Sequence, residues 1–162
     1  MEYSYKLFPR CKNIYVQSRA EAVGYVCMIM SNCSRSASFQ IRTLGFWISP
    51  AIEHQQLFIL FDSSSNPKGY ILWACLAPDT EQRLLTDPNF LLHPSEWNEG
   101  DRPWVIDFCF PNGAVLEASL LIRKLMREAG LQRISWARRD QDHIVSKILT
   151  YRLKSKKKFY HM

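Results

Sequence analysis

The chain has 162 residues, 47% of them hydrophobic and 22% charged, with a net charge of +6. That length suits one globular domain and the composition excludes a disordered chain. No apolar run approaches the roughly 20 residues that a membrane-spanning helix needs, so no integral membrane segment is expected.

The first fifteen residues, "MEYSYKLFPRCKNIY", hold no continuous apolar stretch, so a signal peptide is not expected and the protein reads as cytoplasmic. Residues 1–18 read as an N-terminal extension, 19–153 as the folded domain and 154–162 as a basic tail. In "SRAEAVGYVCMIMSNC", Ala22, Val23, Val26, Ile29 and Met30 recur at the spacing of a core-facing helix. "SASFQIRTLGFWI" reads as a second helix that ends before Ser49-Pro50. "QLFILF" and "GYILWACLA" are apolar runs joined by the polar breakers of "DSSSNPKG", which predicts a β-hairpin. "PDTEQRLLTD" predicts a short helix with Pro78 near its start. "PWVIDFCF" predicts a strand, broken by Pro111-Asn112-Gly113. "AVLEASLLIRKLMREAG" repeats its apolar positions at three and four and ends at Gly130, a natural helix stop. "LQRISWARR" is a further strand, and "IVSKILTYRL" fits strand or helix, with strand preferred. Hairpins are antiparallel and strand–helix–strand units are parallel, so the expected fold is α/β with a mixed, twisted sheet flanked by helices.

Five cysteines (Cys11, Cys27, Cys33, Cys75 and Cys109) are scattered, odd in number and without a C-x-x-C pair. That argues against a zinc site or a disulfide framework, so no metal is expected. Part of the positive charge sits in "RLKSKKK" near the C-terminus. Such a run either solvates a tail or attracts an acidic partner. It lacks the interleaved aromatics of a strand-binding surface, which argues against nucleic acid.

Chemistry concentrates around "GDRPWVIDFCFPNG". A carboxylate inside an apolar strand is costly unless it is paired, so Asp107 either has a structural partner or does chemistry. The junction that follows, strand to Pro-Asn-Gly to helix, leaves helix N–H groups for an oxyanion or phosphate.

"SEWNEGDRPWVIDFCFPNG" resembles the signature of the toxin-activating lysine acyltransferases, the haemolysin C-type family. "GYILWACL" is similar to that family's Tyr-x-x-Trp-Ala-x-Leu, and "ISPAIEHQQ" to its Leu-Pro-Ala-Ile segment, in family order and at nearly family spacing. The resemblance covers about Ala22 to Pro111 well and the remainder loosely. It implies an N-acetyltransferase-like fold in a bacterial cytoplasmic enzyme. The implied activity is fatty acyl transfer from acyl carrier protein to an internal lysine of a partner toxin or precursor peptide. No cofactor is implied beyond the acylated carrier as co-substrate, and a homodimer is left open.

The family's catalytic Asp falls on Asp107. Its catalytic His falls, counting back from "SPAI", on Ser36, and no His precedes His54. Three routes are then open. His54, His93 or His143 folds into the site, Cys33 accepts the acyl group as a nucleophile, or the site binds without turnover. The last defines an alternative reading, a non-catalytic acyl- or carrier-binding homologue or a partner of an active paralogue. Trp73, Trp104, Arg102, Asn112 and Gly113 are the expected substrate-side residues. The rings would line an acyl slot, and the Asn112-Gly113 backbone would polarise the thioester carbonyl. Arg102 is also expected to brace its loop through an ion pair with Asp101. A small-molecule acyltransferase using acyl-CoA is disfavoured, because "PNGAVLEAS" has a single glycine where a pyrophosphate loop needs several.

Overall fold

The computed structural model describes residues 4–6, 15–34, 36–37 and 39–153, with the backbone alone at 4–6 and 15–17. In chain order the elements are β1 (Ser4–Lys6), α1 (Tyr15–Ser31), α2 (Ser49–Glu53), β2 (Leu57–Phe61), β3 (Pro67–Leu76), α3 (Pro78–Thr86), β4 (Arg102–Cys109), α4 (Val115–Glu128), β5 (Arg133–Arg139) and β6 (Val145–Arg152). The strands form one sheet in sequence order, antiparallel throughout except for the parallel β4–β5 pair that α4 connects. This is the expected mixed α/β sheet, and β6 is the strand that was preferred.

Strand alternation splits the apolar residues into two cores. Leu57, Ile59 and Phe61 of β2 and Tyr70, Leu72, Ala74 and Leu76 of β3 face Ala22, Val26, Ile29 and Met30 of α1, together with Ile48, Ala51 and Ile52. The opposite face carries Phe58, Leu60, Ile71 and Ile134, covered by Ala118, Ile122 and Met126 of α4. Those three α4 residues recur every four positions, the spacing that stacks side chains along one helix face. α4 ends in a Schellman arrangement. Gly130 takes φ +81°, its N–H reaches Arg127 O, and Leu131 N–H reaches Met126 O.

Two expectations need correction. No single helix spans "SASFQIRTLGFWI". The described part of 36–41 is turn or irregular, helix begins at Arg42, and Leu44–Ile48 is a π-helical stretch that runs directly into α2. Pro50 stands in the first turn of α2 rather than stopping a helix, where a missing N–H costs nothing. Nor is the N-terminal part only an extension. β1 pairs with β2 in the register Tyr5 to Leu60, and α1 begins at Tyr15. The 154–162 tail and Cys11 lie outside the described residues. Among the described residues no helix is long and apolar enough to cross a membrane.

Candidate active site

β4 carries the site, and its irregularity sets which way Asp107 points. Val105 pairs with Trp73, but the next residue of β3, Leu72, pairs with Asp107, so Ile106 is an extra residue on β4. Unbroken alternation from Trp104 would place Asp107 on the α4 side of the sheet. The bulge resets the period. Asp107 and Cys109 therefore share the α1 face with Tyr70 and Leu72, while Phe110 joins the α4 core.

On that face Tyr70, fully buried, donates its hydroxyl to Asp107 Oδ2 at 2.9 Å. The loop after α1 closes over the same place. Ser36 is 3% exposed, and its amide donates to Cys33 O at 2.9 Å. Cys33 and Ser36 lie close enough to Cys109 to act on its thiol. Burial pushes the Cys109 thiol up to about 12. The hydrogen bond and charge of Cys33 and the charge of Asp107 push the same way, and the Ser36 hydrogen bond opposes them. The structure thus brings Cys33, Ser36 and Asp107 into one cluster with Tyr70 and Cys109, two residues the sequence reading did not single out. A cross-strand signal was present, since Tyr70 and Cys109 are register partners, but the register is not visible in either strand alone.

The remaining expected residues divide. Trp73 lies against the α4 core, on the other side of the sheet from Asp107. Trp104 is 3% exposed within the α1-side core, and its indole N–H donates to Glu81 Oε1 at 2.7 Å. Arg102 pairs with Glu81 rather than Asp101, so both residues brace β4 against α3. Asn112 and Gly113 are exposed in the loop after β4. The Gly113 amide is already donated to Phe110 O at 3.3 Å, so in this structure it is engaged within the loop and not open to a carbonyl, contrary to its expected role. Ala114, at φ +66°, begins α4 without a side-chain cap, leaving the first-turn N–H groups of α4 uncapped.

None of the three candidate histidines has a contact into the cluster. His54 is exposed at the end of α2. His93 caps the turn Pro94–Trp97, with Nδ1 2.9 Å from Ser95 Oγ. His143 is exposed in the β5–β6 turn at φ +61°. Beside the cluster the sheet also parts. β4 and β5 pair at Trp104–Ser135 and Val105–Trp136, with no further paired positions toward their C-terminal ends.

This mixed sheet flanked by helices is an N-acetyltransferase-like fold. The structure of the GNAT-like decarboxylase GphF with isobutyryl-CoA superposes with a TM-score of 0.52 at 12% identity, over 88% of this chain and 68% of that one. The chain itself belongs to the RTX toxin acyltransferase family, whose profile matches residues 16–152. It is 33% identical over 112 residues to the leukotoxin-activating lysine-acyltransferase LktC, serotype A1, of Mannheimia haemolytica, covering 69% of this chain and 64% of that protein. It is 32% identical over 103 residues to the RTX-II toxin-activating lysine-acyltransferase ApxIIC of Actinobacillus pleuropneumoniae, covering 64% of this chain and 61% of that protein. The chain therefore spans just under two thirds of the length of these relatives.

Proposed function

We propose that this protein is a bacterial cytoplasmic lysine acyltransferase that moves a fatty acyl group from acyl carrier protein to the ε-amine of an internal lysine in a toxin or precursor peptide. The observation that carries this reading is the bulge at Ile106. In a chain of this family, it turns Asp107 out of the α4 core and onto the face where Tyr70 hydrogen-bonds it and where Cys109 lies under the influence of Ser36 and Cys33.

In the proposed reaction the neutral amine attacks the thioester carbonyl and Asp107 takes the proton the nitrogen loses. The C–S bond breaks, and the carrier thiolate leaves and is protonated. The products are an amide and a carrier thiol, so the exchange requires no redox partner. Tyr70 orients Asp107 by hydrogen-bonding its Oδ2. The Asn112 amide and the uncapped first turn of α4 are the donors for the carbonyl oxygen. The gap between β4 and β5 is the slot for the thioester arm, whose polar groups would meet the unpaired strand edges.

Ser36 favours a second reading. A hydroxyl is no base near neutral pH, so a chain with Ser where the family has His fits an acyl- or carrier-binding homologue that does not turn over. The experiment is acyl transfer to a co-expressed acceptor, read by intact mass, for wild type, Asp107→Asn, Ser36→His and the double variant. An active wild type that loses at least about 100-fold on Asp107→Asn supports transfer through this site. An inactive wild type that gains activity with Ser36→His, and loses the gain with Asp107→Asn, supports the binding homologue. A robust wild-type rate that ignores Asp107→Asn rejects the site. Sedimentation of the same samples reads whether the working unit is a monomer or a homodimer.

A further inference from the structure

We propose that the outward face of α4 is the surface on which the acidic acyl carrier docks, with Leu116 and Leu120 as its apolar contact and Arg123 and Arg127 as its cations. The identity of the occupant rests on the reading of the chain as an acyltransferase with a protein-borne donor. The surface itself is a property of α4, whatever the chain transfers.

At about 3.6 residues per turn, positions 116, 120, 123 and 127 fall in one column of α4. That column lies opposite Ala118, Ile122 and Met126, which meet the sheet. Leu116 is 68% exposed and Leu120 56%, so two leucines stand in water on a helix whose apolar face is already packed. A single exposed leucine carries no meaning, but these two lie one turn apart and adjoin the exposed Val115. Arg127 is exposed and Arg123 half-buried, and among the described residues neither is ion-paired. The glutamates of α4, Glu117 and Glu128, fall on a flank with Lys124 and leave the column uncompensated.

Arg123 is held in place before any partner arrives. Its Nε donates to Ser119 O at 2.9 Å, and its guanidinium lies 4.4 Å from the centre of the Tyr151 ring. Tyr151 in turn stacks on Trp136, with ring centres 4.8 Å apart. A side chain fixed in this way loses less freedom on docking. Two residues along β5 from Trp136, Arg138 pairs in register with Lys147, and both are exposed on the α4 side of the sheet. Cations therefore run from α4 across β5 to β6. A surface with an apolar centre and a cationic border fits a partner that is acidic around an apolar contact. Position favours the donor over the acceptor. Leu116 stands in the first turn of α4, just after β4 and beside the gap assigned to the thioester arm, whereas Asp107, the proposed base for the amine, lies on the opposite face of the sheet. A carrier seated on α4 feeds its arm into the gap from one side, and the lysine approaches from the other.

The test compares two donors at low salt: a myristoylated acyl carrier protein, and the N-acetylcysteamine thioester of myristate, which has no protein to dock. Arg127→Glu and Leu120→Ser alter the column. Arg42→Glu, at an exposed position ahead of Leu44–Ile48, makes the same charge change elsewhere. Thermal melts establish that each variant folds. The expected result is a KM for the carrier raised at least about tenfold by both column variants, with transfer from the small thioester kept within about twofold. Arg42→Glu keeps the wild-type KM for the carrier. An unchanged carrier KM in the column variants, or an equal effect of Arg42→Glu and Arg127→Glu, overturns the docking surface. So does a loss that is the same with both donors and is relieved by more acceptor, which assigns the face to the acceptor instead. Fluorescence anisotropy of the labelled carrier separates this inference from the reading it rests on. A wild type that transfers from neither donor, yet binds the carrier and releases it on Arg127→Glu, overturns the acyltransferase and keeps the surface. A wild type that transfers from the small thioester but does not bind the carrier overturns the surface and keeps the enzyme.

Discussion

Tyr70 is fully buried, and its hydroxyl meets Asp107 Oδ2 at 2.9 Å. A carboxylate that must take a proton from an attacking amine works only if it points at the amine, and a short hydrogen bond from a rigid ring supplies that orientation. Tyr70→Phe keeps the ring volume and removes the donor. The expected outcome is a loss of about tenfold in kcat with little change in KM, and a stability cost of about 1 kcal/mol. Single-turnover transfer and thermal unfolding on the same sample separate the two. A stability loss with an unchanged rate would reduce Tyr70 to a core residue. Ser36 poses the complementary question, since the proposed reading sets it at the family's imidazole position, and Ser36→His with Asp107→Asn answers it.

At the scale of elements, the entry of β4 is held by a small polar joint. Glu81, in the first turns of α3, accepts from Trp104 Nε1 at 2.7 Å and pairs with Arg102. Glu81→Ala leaves a buried indole N–H unpaired and strands a half-buried guanidinium. The expected loss is about 2 kcal/mol in denaturant unfolding, and Glu81→Gln should recover part of it through the retained indole bond. Gly100 just upstream is required for a different reason, because a Cβ there would collide with the backbone carbonyl of Leu76. Gly100→Ala is therefore expected to lower the melting temperature although Ala is otherwise the milder residue. At the far end of β2, Asp62 collects the turn: its Oδ1 accepts from the Ser64 and Asn66 amides at 2.9 Å each, and its Oδ2 pairs with Lys68 at 3.0 Å. Led by the Asn66 amide and Lys68, these hold its carboxyl at about 2, below the ordinary 3.8. The folded value is the depressed one. Its contribution to stability is thus complete above pH 3.8 and fades as the pH falls toward about 2. Asp62→Asn should flatten the melting temperature across that window and no other, which a pH series of thermal melts reads directly.

Across the whole molecule the charge is +6, and the proposed donor, a carrier protein, is acidic. Long-range attraction of this kind accelerates encounter and is screened by salt. Donor binding should weaken severalfold between about 50 and 200 mM salt, mainly through a slower association rate. Deleting residues 154–162 should slow association further while dissociation barely moves. Stopped-flow association at two salt concentrations, with acylated carrier and acyl-CoA compared, checks both statements. Equal affinity for the two donors without salt dependence would remove the carrier from the proposal.

Much of the fold was legible along the chain because it is written in local periods. The continuous apolar runs of "QLFILF" and "GYILWACLA", the every-fourth spacing of Ala118, Ile122 and Met126, and the stop at Gly130 each depend on neighbours in sequence, and each formed as read. The Asp107 carboxylate in an apolar strand was equally visible as an anomaly. The tertiary structure decided what that anomaly faces. One extra residue at Ile106, set by the register between β3 and β4, moves Asp107 from one side of the sheet to the other. Only then do Tyr70 and Cys109 become its neighbours, with Cys33 and Ser36 acting on Cys109. The same long-range geometry gave Arg102 to Glu81 instead of the adjacent Asp101 and divided Trp73 from the face that Asp107 occupies. Register and face are properties of pairs of strands, and no period read along a single strand contains them.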